Sequence, residues 1–453
     1  MSDLVLPLAM AALTLAGILA GYRVAFVLAG SSAIFILLSD LPIAFFNLIV
    51  SRIYANVLTN WLLVAIPMFI FMGLMLDQSG VAQRMMQSMQ KLFGGLRGGL
   101  SLTVLLIGII LAASTGVIGA SVTLLGVMAL PQMMGQNYSK PIATGTIASA
   151  GTLGILIPPS IMLVIMSDQL AISLGDLFMG ALFPGLLLGA LYIVFIVIYG
   201  LINPKAMPAP PDAGEVSWDV VKEVALAVVP PMFLILLVLG SIFAGFATPT
   251  EASGLGAMGA TLLALVNRKL NFKVLAEVSR STLNTAGYIV GIFLAANFFA
   301  FVLRRYGGDE IIEHMVLNAF DGHPFWTVAF ILFIVFLLGF LLDWIEITII
   351  IMPLMLPVIL SLDLGINGFD TVNDPSVVWF AILVAVTLQT SFLTPPVGFA
   401  LFYLKGVCPP EVSLSHIYKG VIPFVLLQLL GLFIVFEIPE LVTWLPAYAY
   451  GVQ

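Results

Sequence analysis

Ser149-Ala-Gly-Thr-Leu-Gly-Ile-Leu-Ile-Pro158-Pro159-Ser160 lies inside one apolar run, 142–166. Thr387-Leu-Gln-Thr-Ser-Phe-Leu-Thr-Pro395-Pro396-Val-Gly398 lies inside another, 377–404. A membrane-crossing helix needs ~20 apolar residues, so both runs are long enough. A proline removes a backbone donor and frees the carbonyl one turn earlier. In hydrocarbon a freed carbonyl costs several kcal/mol unless something satisfies it. Two adjacent prolines in each run therefore predict two helices that unwind within the membrane. Unwound carbonyls and nearby hydroxyls make an oxygen cage suited to Na⁺, while half-helix N-termini favour an anionic substrate. Gly151 and Gly154 let backbones approach closely, and Thr152, Thr390 and Thr394 offer hydroxyl oxygens. Taken singly, each break also reads as a kink for packing; their pairing favours function.

Composition points the same way. Of 453 residues 61% are hydrophobic and 9% charged, and the mean hydropathy is +1.17. Soluble domains carry about 25% charged residues. A soluble enzyme, a nucleic-acid binder and a disordered chain are excluded. The single cysteine, Cys408, excludes an internal disulfide or cysteine cluster, and His314, His323 and His416 lack metal-site spacing. The apolar N-terminus has no basic leader and reads as a retained membrane helix.

Ten spans are expected, at 4–20, 24–38, 62–76, 142–166, 177–202, 224–246, 252–266, 286–303, 377–404 and 421–436. Two further stretches are interrupted at their centres: 100–130 by Ser114-Thr115-Gly116 and Gly119-Ala120-Ser121, and 325–360 by Asp343-Trp-Ile-Glu-Ile-Thr348. They read as re-entrant hairpins, since non-helical backbone is tolerated only where protein or water satisfies it. With the N-terminus outside, thirteen of the sixteen Lys and Arg fall inside and only Arg52, Arg304 and Arg305 outside, a strong positive-inside bias. Segments 80–99 and 270–284 read as separate interfacial helices, and 204–220 is the one long polar connection.

The halves repeat one another. Ser51-Arg52 and Ser279-Arg280 stand 228 positions apart, as do Gly80 and Gly308. Each half then carries a hairpin with a threonine followed by a proline (Thr123 to Pro131, Thr348 to Pro357) and a double-proline break. Matched spans run in opposite directions, the inverted repeat of secondary carriers. Asp343 and Glu346 are the only carboxylates deep inside an apolar stretch, and buried charge in a bilayer is a functional hypothesis by default. Spaced i, i+3, they would share a helical face near the moving interface; capping a helix at a solvated tip is the alternative. Glu251, after Thr248-Pro249-Thr250, reads as a first-turn residue.

Ser114-Thr-Gly116, Gly154-Ile-Leu-Ile-Pro-Pro-Ser160, Asp343-Trp-Ile-Glu-Ile-Thr348 and Leu393-Thr-Pro-Pro-Val-Gly398 resemble the large membrane subunit of TRAP (tripartite ATP-independent periplasmic) transporters, over essentially the whole chain. The resemblance implies an all-α, elevator-type polytopic protein of the ion-transporter-superfamily kind in a bacterial inner membrane. It also implies Na⁺-coupled uptake of a small carboxylate. The partners it implies are a small four-helix membrane subunit and a periplasmic substrate-binding protein, with Na⁺ as coupling ion and no other cofactor. Carried over, the Na⁺ sites fall at Ser114, Gly116, Gly151, Gly154, Asp343, Thr390 and Thr394. Ser391 stands where relatives more often have glycine. No arginine lies at mid-membrane depth, so Ser121, Thr123 and Thr348, with Glu346, are the candidates for substrate contact.

The expected organisation is a scaffold of 1–97, 171–321 and 407–453 around a transport block of 98–170 and 322–406. A channel would need a continuous polar pore, an intramembrane protease a nucleophile loop or facing carboxylates, and an inert scaffold would leave the paired breaks unexplained.

Overall fold

The computed structural model describes residues 2–38, 44–115, 118–209, 217–320, 323–366, 375–395 and 397–449, and among these every regular element is helical. The first half begins with α1 (Ser2–Leu19), α2 (Val24–Leu37) and α3 (Ala44–Ile53). A π turn and a 3-10 turn then lead into α4 (Ala65–Gln78) and α5 (Val81–Phe93). The first hairpin is α6 (Gly99–Thr115) and α7 (Ile118–Gly135). The broken helix follows as α8 (Lys140–Thr152) and α9 (Ile161–Leu170), then α10 (Leu174–Ile202). The second half runs α11 (Trp218–Phe243), α12 (Pro249–Val266), α13 (Phe272–Arg305) and α14 (Gly308–Asn318). Its hairpin is α15 (Pro324–Leu338) and α16 (Trp344–Ser361). Its broken helix is α17 (Pro375–Leu393) and α18 (Phe399–Val407), followed by α19 (Leu414–Glu437) and α20 (Glu440–Ala449). Among the described residues, eight helical segments are long and apolar enough to cross a membrane.

Both hairpins and both breaks lie where the sequence puts them. Local chemistry explains the helix starts. The hydroxyl of Ser173 accepts the Asp176 N–H and that of Ser217 the Val220 N–H. Thr248 and Glu251 form a reciprocal capping box ahead of α12, with Pro249 in the first turn, which is the first-turn role expected of Glu251.

Three local expectations are corrected. The segment 270–284 is not a separate interfacial helix; it is the start of α13, one continuous helix of 34 residues. At 1.5 Å per residue this spans about 51 Å, longer than the hydrocarbon. Asn271 caps it through the Val274 N–H at 2.9 Å, and it contains no proline. The matching stretch of the first half is interrupted, because the Asn60 side chain accepts the Leu62 N–H and turns the chain. The partner of Gly80 is Gly307, not Gly308: both head a helix in the left-handed region, at φ 76° and 70°, where glycine pays no Cβ penalty. Three short helices, α3, α14 and α20, escaped the apolar-run reading.

The packing is close. A Cβ on Gly256 of α12 would lie 2.5 Å from Met72 Sδ of α4. The amphipathic α5 buries Val81, Ala82, Met85, Met86 and Met89, and Lys91 reaches Glu223 of α11 at 2.7 Å. Elsewhere α8 and α19 meet backbone to backbone. A Cβ on Gly145 would lie 2.1 Å from the Gly420 carbonyl, and one on Gly420 2.0 Å from the Pro141 carbonyl. Tyr192 and Phe195 of α10 pack edge-on against Phe424 of α19, the Trp379 indole N–H donates to the Val435 carbonyl at 3.0 Å, and Trp444 of α20 packs on Phe183.

Candidate functional site

In the first break α8 stops at Thr152, a 3-10 turn covers Leu153–Ile155 with Gly154 at its centre, and α9 starts at Ile161. Pro158 and Pro159, joined by a cis peptide, fill the gap. The Ser160 hydroxyl donates to the Ile155 carbonyl at 2.5 Å and satisfies one acceptor freed by the break. In the second, α17 stops at Leu393 and α18 starts at Phe399, with Thr394 and Pro395 in the gap. The hydroxyls of Thr152, Thr390 and Thr394 donate to the carbonyls of Ser149, Val386 and Thr390 at 3.0, 2.9 and 2.7 Å. A hydroxyl that donates in this way keeps its lone pairs available, as a cation ligand must.

The hairpins touch the breaks through glycine. A Cβ on Gly151 would meet Val122 of α7 at 2.5 Å, and one on Gly339, at the end of α15, would meet Ser391 Oγ at 2.1 Å. Ser391 is thus accommodated by a glycine opposite it. The halves are also interlaced. Gly119 and Gly126 of α7 face Tyr403, Leu404 and Val407 of the second half, while α16 packs along α9 of the first. Each returning hairpin arm thus leans on the other half's broken helix.

Asp343 and Glu346 do not share a helical face. Asp343 is the N-cap of α16, its Oδ1 accepting the Trp344 N–H at 2.8 Å, and Glu346 Oε2 accepts the Asp343 N–H at 2.9 Å. This capping box satisfies orphan donors at a helix start, so the pair holds the hairpin tip in shape whatever else it binds. Glu346 is only 5% exposed, and the Tyr288 hydroxyl of α13 donates to its Oε1 at 3.4 Å. Asp343→Ala should cost about 1 kcal/mol of stability through the lost cap, whereas Asp343→Asn keeps the cap and the melting temperature. If Asp343 also ligates Na⁺, the Asp343→Asn variant should need more Na⁺ for uptake at unchanged stability; thermal unfolding and Na⁺ titration together separate the two roles.

Of the other expected residues, Ser121 and Thr348 are buried and Thr123 is half-buried. Gly116 and Pro396 lie outside the described residues, and the side chain of Ser114, in the last turn of α6, lies outside them too. Sequence reasoning passed over Gln389. Its side chain is fully buried, and neither Oε1 nor Nε2 has a hydrogen-bond partner among the described residues; the same holds for Ser149 Oγ and Thr348 Oγ1. Leaving such a group unpaired costs about 1–3 kcal/mol. Ser149 and Gln389 each stand one turn before a break, so the sequence did carry a signal: a polar residue repeated at matching places. Tyr288 and Tyr403 were missed because only the folded chain brings them to the hairpins.

Two cavities flank this assembly. One of about 860 Å³ is lined by Tyr22, Arg23, Tyr288 and Glu346, the other of about 350 Å³ by Arg52, Asn60, Asp168 and Arg304. Between them α13 meets α16, and Asn60 Nδ2 donates to Asp168 Oδ1 at 2.5 Å.

Residues 8–441 match the family described as "Tripartite ATP-independent periplasmic transporter, DctM component". The chain belongs to this family. It is 31% identical over 414 residues to the C4-dicarboxylate TRAP transporter large permease protein DctM of Vibrio cholerae, covering 86% of this chain and 87% of the relative. It is 27% identical over 396 residues to the isethionate TRAP transporter permease protein DctMQ of Oleidesulfovibrio alaskensis, covering 86% of this chain and 59% of that protein. Among solved structures, the Alcanivorax borkumensis YdaH transporter superposes with a TM-score of 0.60 at 14% identity, over 92% of this chain and 96% of the other; that likeness concerns the fold. This DctM component is a multi-pass transporter subunit and not an enzyme.

Proposed function

We propose that this DctM component carries the transport path of a Na⁺-coupled importer of a small organic acid, in a bacterial inner membrane with its N-terminus periplasmic. The observation that carries the reading is the pair of helix breaks, each packed against a hairpin and each with buried oxygens beside it that lack a hydrogen-bond partner among the described residues. Ser149 Oγ, Thr348 Oγ1 and Gln389 Oε1 supply neutral oxygens without partners among the described residues, and Thr390 and Thr394 supply hydroxyls whose lone pairs are free of their own donated bonds. Hard monovalent cations take such neutral oxygen ligands. Gly151, Gly154, Asp343 and the tip of the first hairpin, Ser114 and Gly116, complete the proposed Na⁺ ligands. Ser121, Thr123, Thr348 and Glu346 face the carboxylate.

A named C4-dicarboxylate relative and a named isethionate relative support a small organic anion as substrate. The second name joins M with Q, which supports a small membrane subunit as partner, alongside a periplasmic binding protein. The backbone contact of α8 with α19, and the packing of α10 and α20, support a moving block that takes in those helices as well as 98–170 and 322–406. The block then slides against α1–α5 and α11–α14. With Arg23 on the inner side, the cavity at Glu346 opens inward, which fits an inward-facing state.

The test is uptake into proteoliposomes under an imposed Na⁺ gradient, with the proposed small subunit and binding protein present. Thr394→Val, which keeps shape but removes the hydroxyl, should raise the half-saturating Na⁺ concentration about tenfold, the equivalent of roughly 1.4 kcal/mol. Equal uptake with K⁺ in place of Na⁺ would refute the coupling.

A further inference from the structure

The geometry points to a second carboxylate-binding site, at the seam between scaffold and block on the side opposite the Glu346 cavity. It rests on the reading above of an organic-acid importer with its N-terminus outside. The bias of basic residues toward the inside leaves three arginines outside, and two of them, Arg52 and Arg304, line one cavity of about 350 Å³. They come from segments far apart in sequence, the end of α3 and the end of α13. Asn56, Asn60 and Asn297 complete its polar wall. A volume of this order suits a small ligand.

The two arginines are not consumed by structure. The Arg52 guanidinium lies over the Phe301 ring at 4.9 Å, which orients it while leaving its five donors unspent, and no carboxylate pairs with it among the described residues. Arg304 meets Asp309 only through Nε at 3.8 Å, leaving its fork of terminal nitrogens. Asp168, the cavity's one carboxylate, is engaged by the side-chain amides of Asn60 and Gln169 at 2.5 and 2.8 Å. The wall amides bond to one another, to Asp168 and to the Asn56 and Phe293 carbonyls, so the recess offers its two guanidinium groups, which outnumber its one carboxylate and recognise a carboxylate in preference to a neutral solute. Its floor is Ile349 and Pro353 of α16, the returning arm of the hairpin that carries Glu346. A carboxylate held here sits on the outer side of the moving hairpin, separate from the hairpin-tip site, and acts as a waiting position for substrate before the block rises.

The test uses the full chain in neutral detergent with Cys408→Ser and a reporter cysteine, Ala300→Cys, in the cavity wall. Its labelling rate is measured with an anionic sulfonatoethyl and a cationic trimethylammonium methanethiosulfonate, each normalised to a free thiol. The anionic reagent should react at least about tenfold faster, within the range that electrostatic focusing in clefts provides. Arg52→Gln should remove most of that preference, while Arg52→Lys retains it and controls for folding. Succinate, 2-oxoglutarate or acetate should slow labelling at least threefold relative to chloride at equal ionic strength, and this protection should vanish in Arg52→Gln. A rate ratio near one, or protection by chloride equal to that by every carboxylate, overturns the site. Protection given only by added binding protein also overturns it, assigning the arginines to acidic side chains of that protein. The labelling needs neither Na⁺ nor transport, so a failed Na⁺ titration leaves it untouched, and a ratio of one beside intact Na⁺-driven uptake refutes this site alone.

Discussion

Gly420→Ala should abolish the folded protein, although it adds a single methyl group. The new Cβ would stand 2.0 Å from the Pro141 carbonyl oxygen. That neighbour is backbone inside the first turn of α8, so no side chain can swing aside. The helices would have to separate, and the buried faces that α19 presents at Ile417, Val421 and Phe424 would lose contact together. Overpacking usually costs 1–3 kcal/mol; a clash between two backbones belongs at or above the upper end, about 3 kcal/mol. Size-exclusion profiles and thermal unfolding in detergent should show loss of monodisperse protein. Gly240→Ala is the matched control. Nothing lies within 4 Å of its added Cβ, so it should be neutral or stabilising by the roughly 1 kcal/mol that separates alanine from glycine in a helix. Folded, active Gly420→Ala protein would show that α8 and α19 are not held as described.

The second large effect concerns motion. Asn60 belongs to the turn ahead of α4, Asp168 to the end of α9, and their side chains meet at 2.5 Å. If the block slides against the scaffold, a covalent bridge there must stop uptake. In a Cys408→Ser background, Asn60→Cys with Asp168→Cys should transport before bridging and fall at least about a hundredfold when a mercuric ion joins the thiols. Such a drop corresponds to roughly 2.7 kcal/mol of barrier at minimum. Excess thiol should restore uptake, and each single cysteine should be insensitive to mercury. Full uptake in the bridged protein would exclude relative movement of α9 and the Asn60 turn.

What the sequence made legible was what chain-local chemistry decides. Pro158-Pro159 stands in a break whereas Pro230-Pro231 lies inside the continuous α11, so it was a double proline flanked by glycine, serine and threonine, not a double proline alone, that marked a break. The polar centres of 100–130 and 325–360 could not remain in lipid as straight helices. Thr248-Pro-Thr-Glu251 carried its capping box in four letters. The continuity of α13 was not legible, because Ser279, Asn284 and Gly287 look like interfacial punctuation until the helix is seen to extend beyond the membrane. Asp343 and Glu346 show the same limit: their spacing fits one helical face or a cap, and the choice depends on where α16 begins. The meeting of Gly145 with Gly420, of Tyr288 with Glu346 and of Arg52 with Arg304 depends on helices far apart in sequence, which periodicity does not report. Gln389 was hidden for another reason: an amide in an apolar run looks like a packing accident until its partners are found to be missing.

The lean of α7 on α18 sets a waiting time during synthesis. Gly126 is made some 280 residues before Val407, the residue it faces. At about 5–20 residues per second this face of the first hairpin stays uncovered for roughly 15–55 s. For that interval lipid, or another membrane protein, must take the place of α18. A face that has to be presentable to lipid first and to protein later can hold small residues and alkyl groups but no fixed charge, and α7 carries none from Ile118 to Gly135.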